Sequence, residues 1–261
     1  MTPFPATLRS EWTKLVSLRS TKLTVALGAI LGVGLSALLA VVAGATWHDW
    51  EPAARREFEP IGIALVGGVL SAIFFLVLGV KAATAEYGSG MIRLTLAATP
   101  RRSRVLAAKA AVVAAITLVA GLVSTAGMFL AAQAVFASYG LQSARLGDAD
   151  ALRTVLAGGA LSPLFPVIAL ALGIVLRSTA AAVIAVFALI FAPPFLGGLL
   201  PAWVQEHLLV YLPGAASDAI AIGHLEGSST GLAPGVAALV LIAWLAVFLG
   251  GAWAALERRD G

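Results

Sequence analysis

No cysteine occurs anywhere in the 261 residues, which excludes a disulfide framework, a thiolate metal site and a cysteine nucleophile together. Charge is scarce as well: Asp, Glu, Lys and Arg make up 11% of the chain, where an ordinary soluble domain carries about 25%. The deficit runs along the whole length. A chain that is 60% hydrophobic with so few charges cannot cover its apolar surface in water, so a single membrane domain is expected, with little left for a soluble one. Also missing are an HExxH pair, any two histidines at ligand spacing and a GxxxxGK[ST] phosphate loop, so no metal site and no ATP hydrolysis are expected of this chain. His48, His207 and His224 are scattered. Asp218 lies six residues before His224, and Glu206 adjoins His207; both pairs read as solvated or interfacial groups rather than a catalytic site. No catalytic residue and no bound cofactor is expected.

What is present is a series of uncharged apolar runs. Leu23–Ala45 would reach roughly 34 Å as a helix, enough for a hydrocarbon core of about 30 Å. Basic residues precede it and Ala43-Gly44-Ala45 imitates a cleavage site, but a secretory signal core is only about 7–15 residues long, so this run is expected to span. Ile61–Val80, Ala110–Ala137, Val155–Leu176, Thr179–Leu200 and Val236–Leu256 follow, which predicts an all-α polytopic fold with six transmembrane helices. Pro163 with Pro166, and Pro193 with Pro194, should kink the fourth and fifth. Continuously apolar runs do not alternate as barrel strands do.

Lysine and arginine then fall on the two sides unequally. One side collects thirteen, from Arg9, Lys14, Arg19 and Lys22 through Lys81 to Lys109, then Arg177, Arg258 and Arg259; the other has Arg55, Arg56, Arg145 and Arg153. The positive-inside rule places the richer side, with both termini, in the cytoplasm of a cell-membrane protein. The net charge of +4 therefore serves topology and calls for no nucleic-acid partner. No span carries a central charge of the kind an ion-coupled carrier uses, and Gln133 is the strongest polar group well inside one. Gly28 and Gly32 form a GxxxG that suits ordinary helix packing.

Three segments lie outside the runs. In residues 1–22, Phe4, Leu8, Trp12, Leu15 and Val16 share a helical face, with Arg9, Lys14 and Ser17 elsewhere, which predicts a helix lying flat in the cytoplasmic interface against membrane lipid. The cytoplasmic loop 84–109 offers Ser89 as a cap for a short helix carrying Met91, Ile92, Leu94 and Leu96, ended by Pro100. Those apolar side chains on a water-facing loop need a partner, either the membrane surface or another protein. The outer segment 201–235 is too apolar for a free loop and reads as short re-entrant or interfacial helices broken at Pro213-Gly214. Residues 257–261 form a cytoplasmic tail.

Over essentially its whole length the chain resembles the transmembrane permease subunits of type-2 ATP-binding cassette (ABC) transporters, particularly the small bacterial exporter permeases. The resemblance rests on Ser10-Glu11-Trp12-Thr13-Lys14-Leu15 with Ser17-Leu18-Arg19-Ser20-Thr21, and on Glu86-Tyr87-Gly88-Ser89-Gly90-Met91-Ile92-Arg93 through Thr99-Pro100-Arg101-Arg102 to Lys109. It implies a separate ATPase subunit on the cytoplasmic face, which uses ATP and Mg, and a second permease, identical or related, as partner. It implies too that Gly88–Ala98 is a coupling helix, with Glu86, Tyr87, Gly90, Met91, Arg93, Leu94, Pro100, Arg101 and Arg102 receiving the ATPase's motion. Glu11, Trp12, Lys14 and Arg19 would belong to a connecting helix flanking the same subunit. The expected function is export of a hydrophobic or amphipathic substrate; the alternative is a non-transporting membrane anchor or sensor, and an intramembrane enzyme lacks the groups it would need. Substrate binding is expected to rest on the apolar spans and Gln133.

Overall fold

A computed structural model describes residues 3–88, 90–91, 94–95, 101–223 and 231–259. Among them all regular structure is helical and no strand occurs, as expected where lipid offers no partner to main-chain groups. Six helices are long and apolar enough to cross a membrane: Arg19–Asp49, Pro60–Gly88, Arg102–Ser138, Ala149–Leu176, Thr179–Gly197 and Pro234–Arg258. The chain is an all-α polytopic membrane protein. Both described ends of the chain lie at one end of the bundle, called basal here; the other end is distal.

The boundaries differ from the hydrophobic runs wherever helices carry charge past the apolar stretch. The N-terminal helix is Phe4–Ser17, and after one extended residue, Leu18, the first span starts at Arg19 rather than at residue 23. The third span starts at Arg102, so Arg102, Arg104 and Lys109 belong to a membrane helix and not to a loop. The N-terminal helix divides its apolar residues between a packed and an exposed face. Thr7, Glu11 and Leu15 are buried, Leu8 packs beside them, and Phe4 and Trp12 are exposed. Protein packing, not the amphipathic pattern alone, sets its rotation.

Two spans are interrupted. The second breaks at Val66-Gly67 between Pro60–Leu65 and Gly68–Gly88. The Glu59 carboxylate caps its distal start by accepting from the main-chain N–H groups of Ile61 and Gly62, with Pro60 in the first turn. The fourth breaks at Ser162-Pro163, the expected kink realised as a break, between Ala149–Leu161 and Leu164–Leu176. The fifth runs unbroken through Pro193 and Pro194.

Small residues bring the helices together. A methyl group at Gly79 would overlap the Pro166 carbonyl, and one at Gly173 would press on Ala83, so spans two and four approach almost backbone to backbone. Gly28 and Gly32 face Phe74, Phe75 and Ser71 of span two; the GxxxG serves packing within the chain. At the distal end Trp47, Trp50, Phe58 and Phe136 form an aromatic cluster in which both tryptophans and Phe136 meet Phe58 edge to face. Gln133 is buried there: its amide donates to Pro60 O at 2.9 Å and accepts from Ala144 N at 2.8 Å. With both ends of the amide used to hold distal connections, Gln133 is a structural group, and the expectation that it binds substrate is withdrawn.

The segment before the last span folds as Ala202–His207, a single 3-10 turn at Leu209–Tyr211, and Pro213–Ala221. Pro213 opens the last helix rather than breaking it. The Trp244 indole donates to the Tyr211 carbonyl at 2.8 Å. Trp244 stands ten residues into the sixth span, about 15 Å along its axis. Ala216 and Ala219 pack on Leu164, Ile168, Ala237 and Leu241. The described part of the segment therefore enters the bundle, its helix Pro213–Ala221 packed on spans four and six.

Candidate functional site

The basal ends of the N-terminal helix, span two and span three converge on four ionisable side chains. Glu11 comes from the buried stripe of the N-terminal helix and Lys14 from one turn further on; Glu86 ends span two, and Lys109 lies two turns into span three. Lys14 Nζ sits 2.7 Å from Glu11 Oε1 and 2.8 Å from Glu86 Oε1. Lys109 Nζ sits 2.8 Å from Glu11 Oε2 and 2.9 Å from Glu86 Oε1, and also donates to Ala82 O at 3.4 Å. The charges alternate around a closed ring with no net charge. The side chains of Glu11, Lys109 and Glu86 are 3%, 5% and 9% exposed, so each lacks the water that would otherwise solvate it, and the ring substitutes for that water.

Lys14, at the rim, reaches one group more: its ammonium approaches Thr95 Oγ1 at 3.4 Å, joining the basal connection to the ring. Burial by itself would lower the Lys14 pKa, but hydrogen bonds to Glu11 and Glu86 and their charges outweigh it and hold the ammonium above its ordinary value.

The ring sits on an apolar floor formed by Leu15, Leu78, Val112, Leu170, Ile174 and Leu256. Around it the basal ends are tied by further contacts. The Arg177 guanidinium lies 5.2 Å from the Tyr87 ring centroid, and Arg177 takes the left-handed conformation that ends span four. Thr179 Oγ1 and Thr84 Oγ1 are 2.8 Å apart, linking spans five and two. Arg102 Nη1 donates to the carbonyls of Leu256 and, at 3.1 Å, Glu257, fastening the end of span six to the start of span three.

Of the residues singled out by sequence, Glu11, Lys14 and Glu86 are brought into direct contact, and Tyr87 and Arg102 bind neighbouring helix ends. Trp12, Arg19 and Arg101 are exposed. Gly90 has φ +71, a turn conformation suited to glycine, just past the end of span two. Met91 and Leu94 are helical and exposed, Leu94 by 72%. Arg93 and Pro100, with Ser89, Ile92 and Leu96, lie outside the described residues. Lys109 was missed as a site residue: read as one basic charge among many, it is the most enclosed cation of the ring. Its partner Glu11 is 98 residues away, and the only local sign is a charge eight residues inside a helix start and facing alanine and valine neighbours.

Chemically, this arrangement can hold helices in register and transmit displacement, each carboxylate of the ring being engaged by both ammonium groups. Among the described residues no cluster of three or more metal-ligating side chains occurs. No protein-family model matches the sequence, and no curated protein is significantly similar to it.

Proposed function

We propose that the chain is the permease subunit of an ABC exporter, moving a hydrophobic or amphipathic substrate across the cell membrane with ATP hydrolysed by a separate subunit. The observation that carries this reading is the juxtaposition at the basal end of an exposed apolar connection, Met91 and Leu94, with the ring that clamps the same connection to two helices. Solvent-exposed methionine and leucine beside a basic cluster suit burial in a partner's cleft. A push on that connection reaches Glu86 at the end of span two and, through Lys14 and Lys109, the N-terminal helix and span three.

In this reading the basal end is cytoplasmic, as the lysine and arginine bias favours. The ATPase supplies ATP and Mg chemistry, and a second permease, identical or related, completes the pathway. The sparsely buried spans one, five and six leave surface for that second copy and for lipid.

The test is co-reconstitution in proteoliposomes with a candidate ABC ATPase subunit. Leu94→Asp and Met91→Asp should abolish co-purification and the permease-dependent part of ATP hydrolysis, while Leu94→Met retains both. Unaltered association and hydrolysis in the two aspartate variants would remove the coupling assignment.

A further inference from the structure

Spans two to five and the re-entrant segment line a partly open cavity of about 690 Å³, within the size range of sites that hold drug-sized molecules, about 300–1,000 Å³. Its walls are mostly aliphatic and aromatic, with Phe75, Phe165 and Phe191 from three different spans. Five hydroxyls also line it, but four of them, Ser71, Ser124, Thr125 and Ser162, already donate to main-chain carbonyls of Gly28, Ala120, Gly121 and Gly158. Their polarity is spent within the protein.

Among the described residues one ionisable side chain lines this cavity: Asp218. It belongs to the re-entrant helix Pro213–Ala221, whose Ala216 and Ala219 are packed away against spans four and six. Asp218 and Ala221, three residues apart, line the cavity together, so the helix turns this face to the space. Asp218 is open to the cavity rather than covered by neighbouring atoms. No lysine, arginine or histidine forms an ion pair with it among the described residues; the ion pairs there all belong to the basal ring. A carboxylate among apolar walls, with no countercharge among the described residues, attracts a cation whose remaining surface is apolar, and it repels an anion of the same shape. The aromatic faces favour the same sign of charge.

We propose that this cavity is a binding site for hydrophobic cations, with Asp218 as the countercharge and the apolar walls of spans two to five as the receptor for the hydrocarbon part. Resting on the exporter reading, the proposal narrows its substrate class from hydrophobic or amphipathic molecules in general to lipophilic cations. It also assigns the re-entrant segment a task. The helix carries the Asp218 carboxylate to the place where the apolar surface is concave.

Binding can be measured without any ATPase, on the full chain in nanodiscs, with empty nanodiscs as the reference for partition into lipid. The probes are tetraphenylphosphonium and tetraphenylborate, matched in size and opposite in charge. The wild-type protein should bind the cation with at least about tenfold preference over the anion, equivalent to about 1.4 kcal/mol. Asp218→Asn should lose most of that preference, and Asp218→Glu should keep it within a few-fold. Equal binding of the two ions by the wild-type protein would overturn the proposal whatever the variants do, as would an undiminished preference in Asp218→Asn. Should the cation bind as expected while the Leu94→Asp and Met91→Asp variants leave ATPase coupling intact, the site stands and the coupling assignment falls. The converse pattern separates them in the other direction.

Discussion

At the scale of single residues, the basal ring is where one substitution has the largest consequence. Lys109 and Glu11 are both nearly inaccessible, and each neutralises the other while Lys14 and Glu86 complete the circuit. Removing one member leaves a charge buried without its countercharge, which costs about 3–5 kcal/mol. Lys109→Met and Glu11→Gln should each lower the melting temperature of the detergent-solubilised protein markedly. The pair Glu11→Leu with Lys109→Met should recover a large part of the loss, because the Lys14–Glu86 contact at 2.8 Å survives on its own. If the double variant were as unstable as the sum of the singles, the two residues would not be interacting as the ring requires. Lys14 adds a pH signature. Its folded-state pKa lies above the ordinary lysine value of 10.5, so its contribution to stability is fully present below that value and is lost as pH rises through the higher folded one. Alkaline denaturation should therefore show a component beginning above about pH 10.5 that Lys14→Met lacks; an identical alkaline limb in both proteins would contradict the ring as a stabilising device.

At the scale of elements, close approach does what charge does at the base. Spans two and four meet where Gly79 faces the Pro166 carbonyl, in a space that a single methyl group would overfill. Gly79→Ala should destabilise by about 1–3 kcal/mol, read as a lower melting temperature, and Gly34→Ala, whose added methyl meets nothing within 4 Å, serves as the neutral control. Besides the packing of Ala216 and Ala219, the re-entrant segment is tied to the sixth span by the Trp244 indole on the Tyr211 carbonyl. Trp244→Phe keeps an aromatic ring and removes the donor, so protease or hydrogen-exchange protection of residues 209–223 should fall while the six spans stay protected. These elements also divide what could be read from sequence from what could not. The six spans were legible because roughly twenty uncharged residues in a row have few other fates, and the apolar outer segment was legible as more than a loop. Hydropathy could not see that helices continue through Arg19 and Arg102, since a helix end reaching the interface tolerates charge. Nor could it show which residues of the N-terminal helix pack inward: Glu11 is drawn inward by a lysine 98 residues distant, while Phe4 and Trp12 stay exposed. The break at Val66-Gly67 has no proline to announce it, and the cavity arises from five separate segments that no local pattern connects.

At the scale of the whole molecule, two polar features sit in an otherwise apolar bundle, and they lie at opposite ends. The neutral ring closes the basal end, where both described ends of the chain lie, and Asp218, which has no ion-pair partner among the described residues, stands toward the distal end, beside the first turns of the sixth span. In the exporter reading this polarity has a direction: force enters at the ring and cargo occupies the cavity nearer the outer surface. That direction requires the basal end to be cytoplasmic, and the missing cysteines make this measurable, since any introduced cysteine is the only one in the protein. Arg101→Cys places a thiol on the exposed basal connection, and Asp150→Cys places one at the exposed distal start of span four. A membrane-impermeant maleimide added to intact cells should label Asp150→Cys and leave Arg101→Cys unlabelled until the membrane is permeabilised. The reverse pattern would invert the molecule and turn the proposed export into a pathway facing the other way. It would also put the exposed Met91 and Leu94 on the side where no ATPase could reach them, so this labelling decides the orientation on which both the coupling surface and the direction of transport depend.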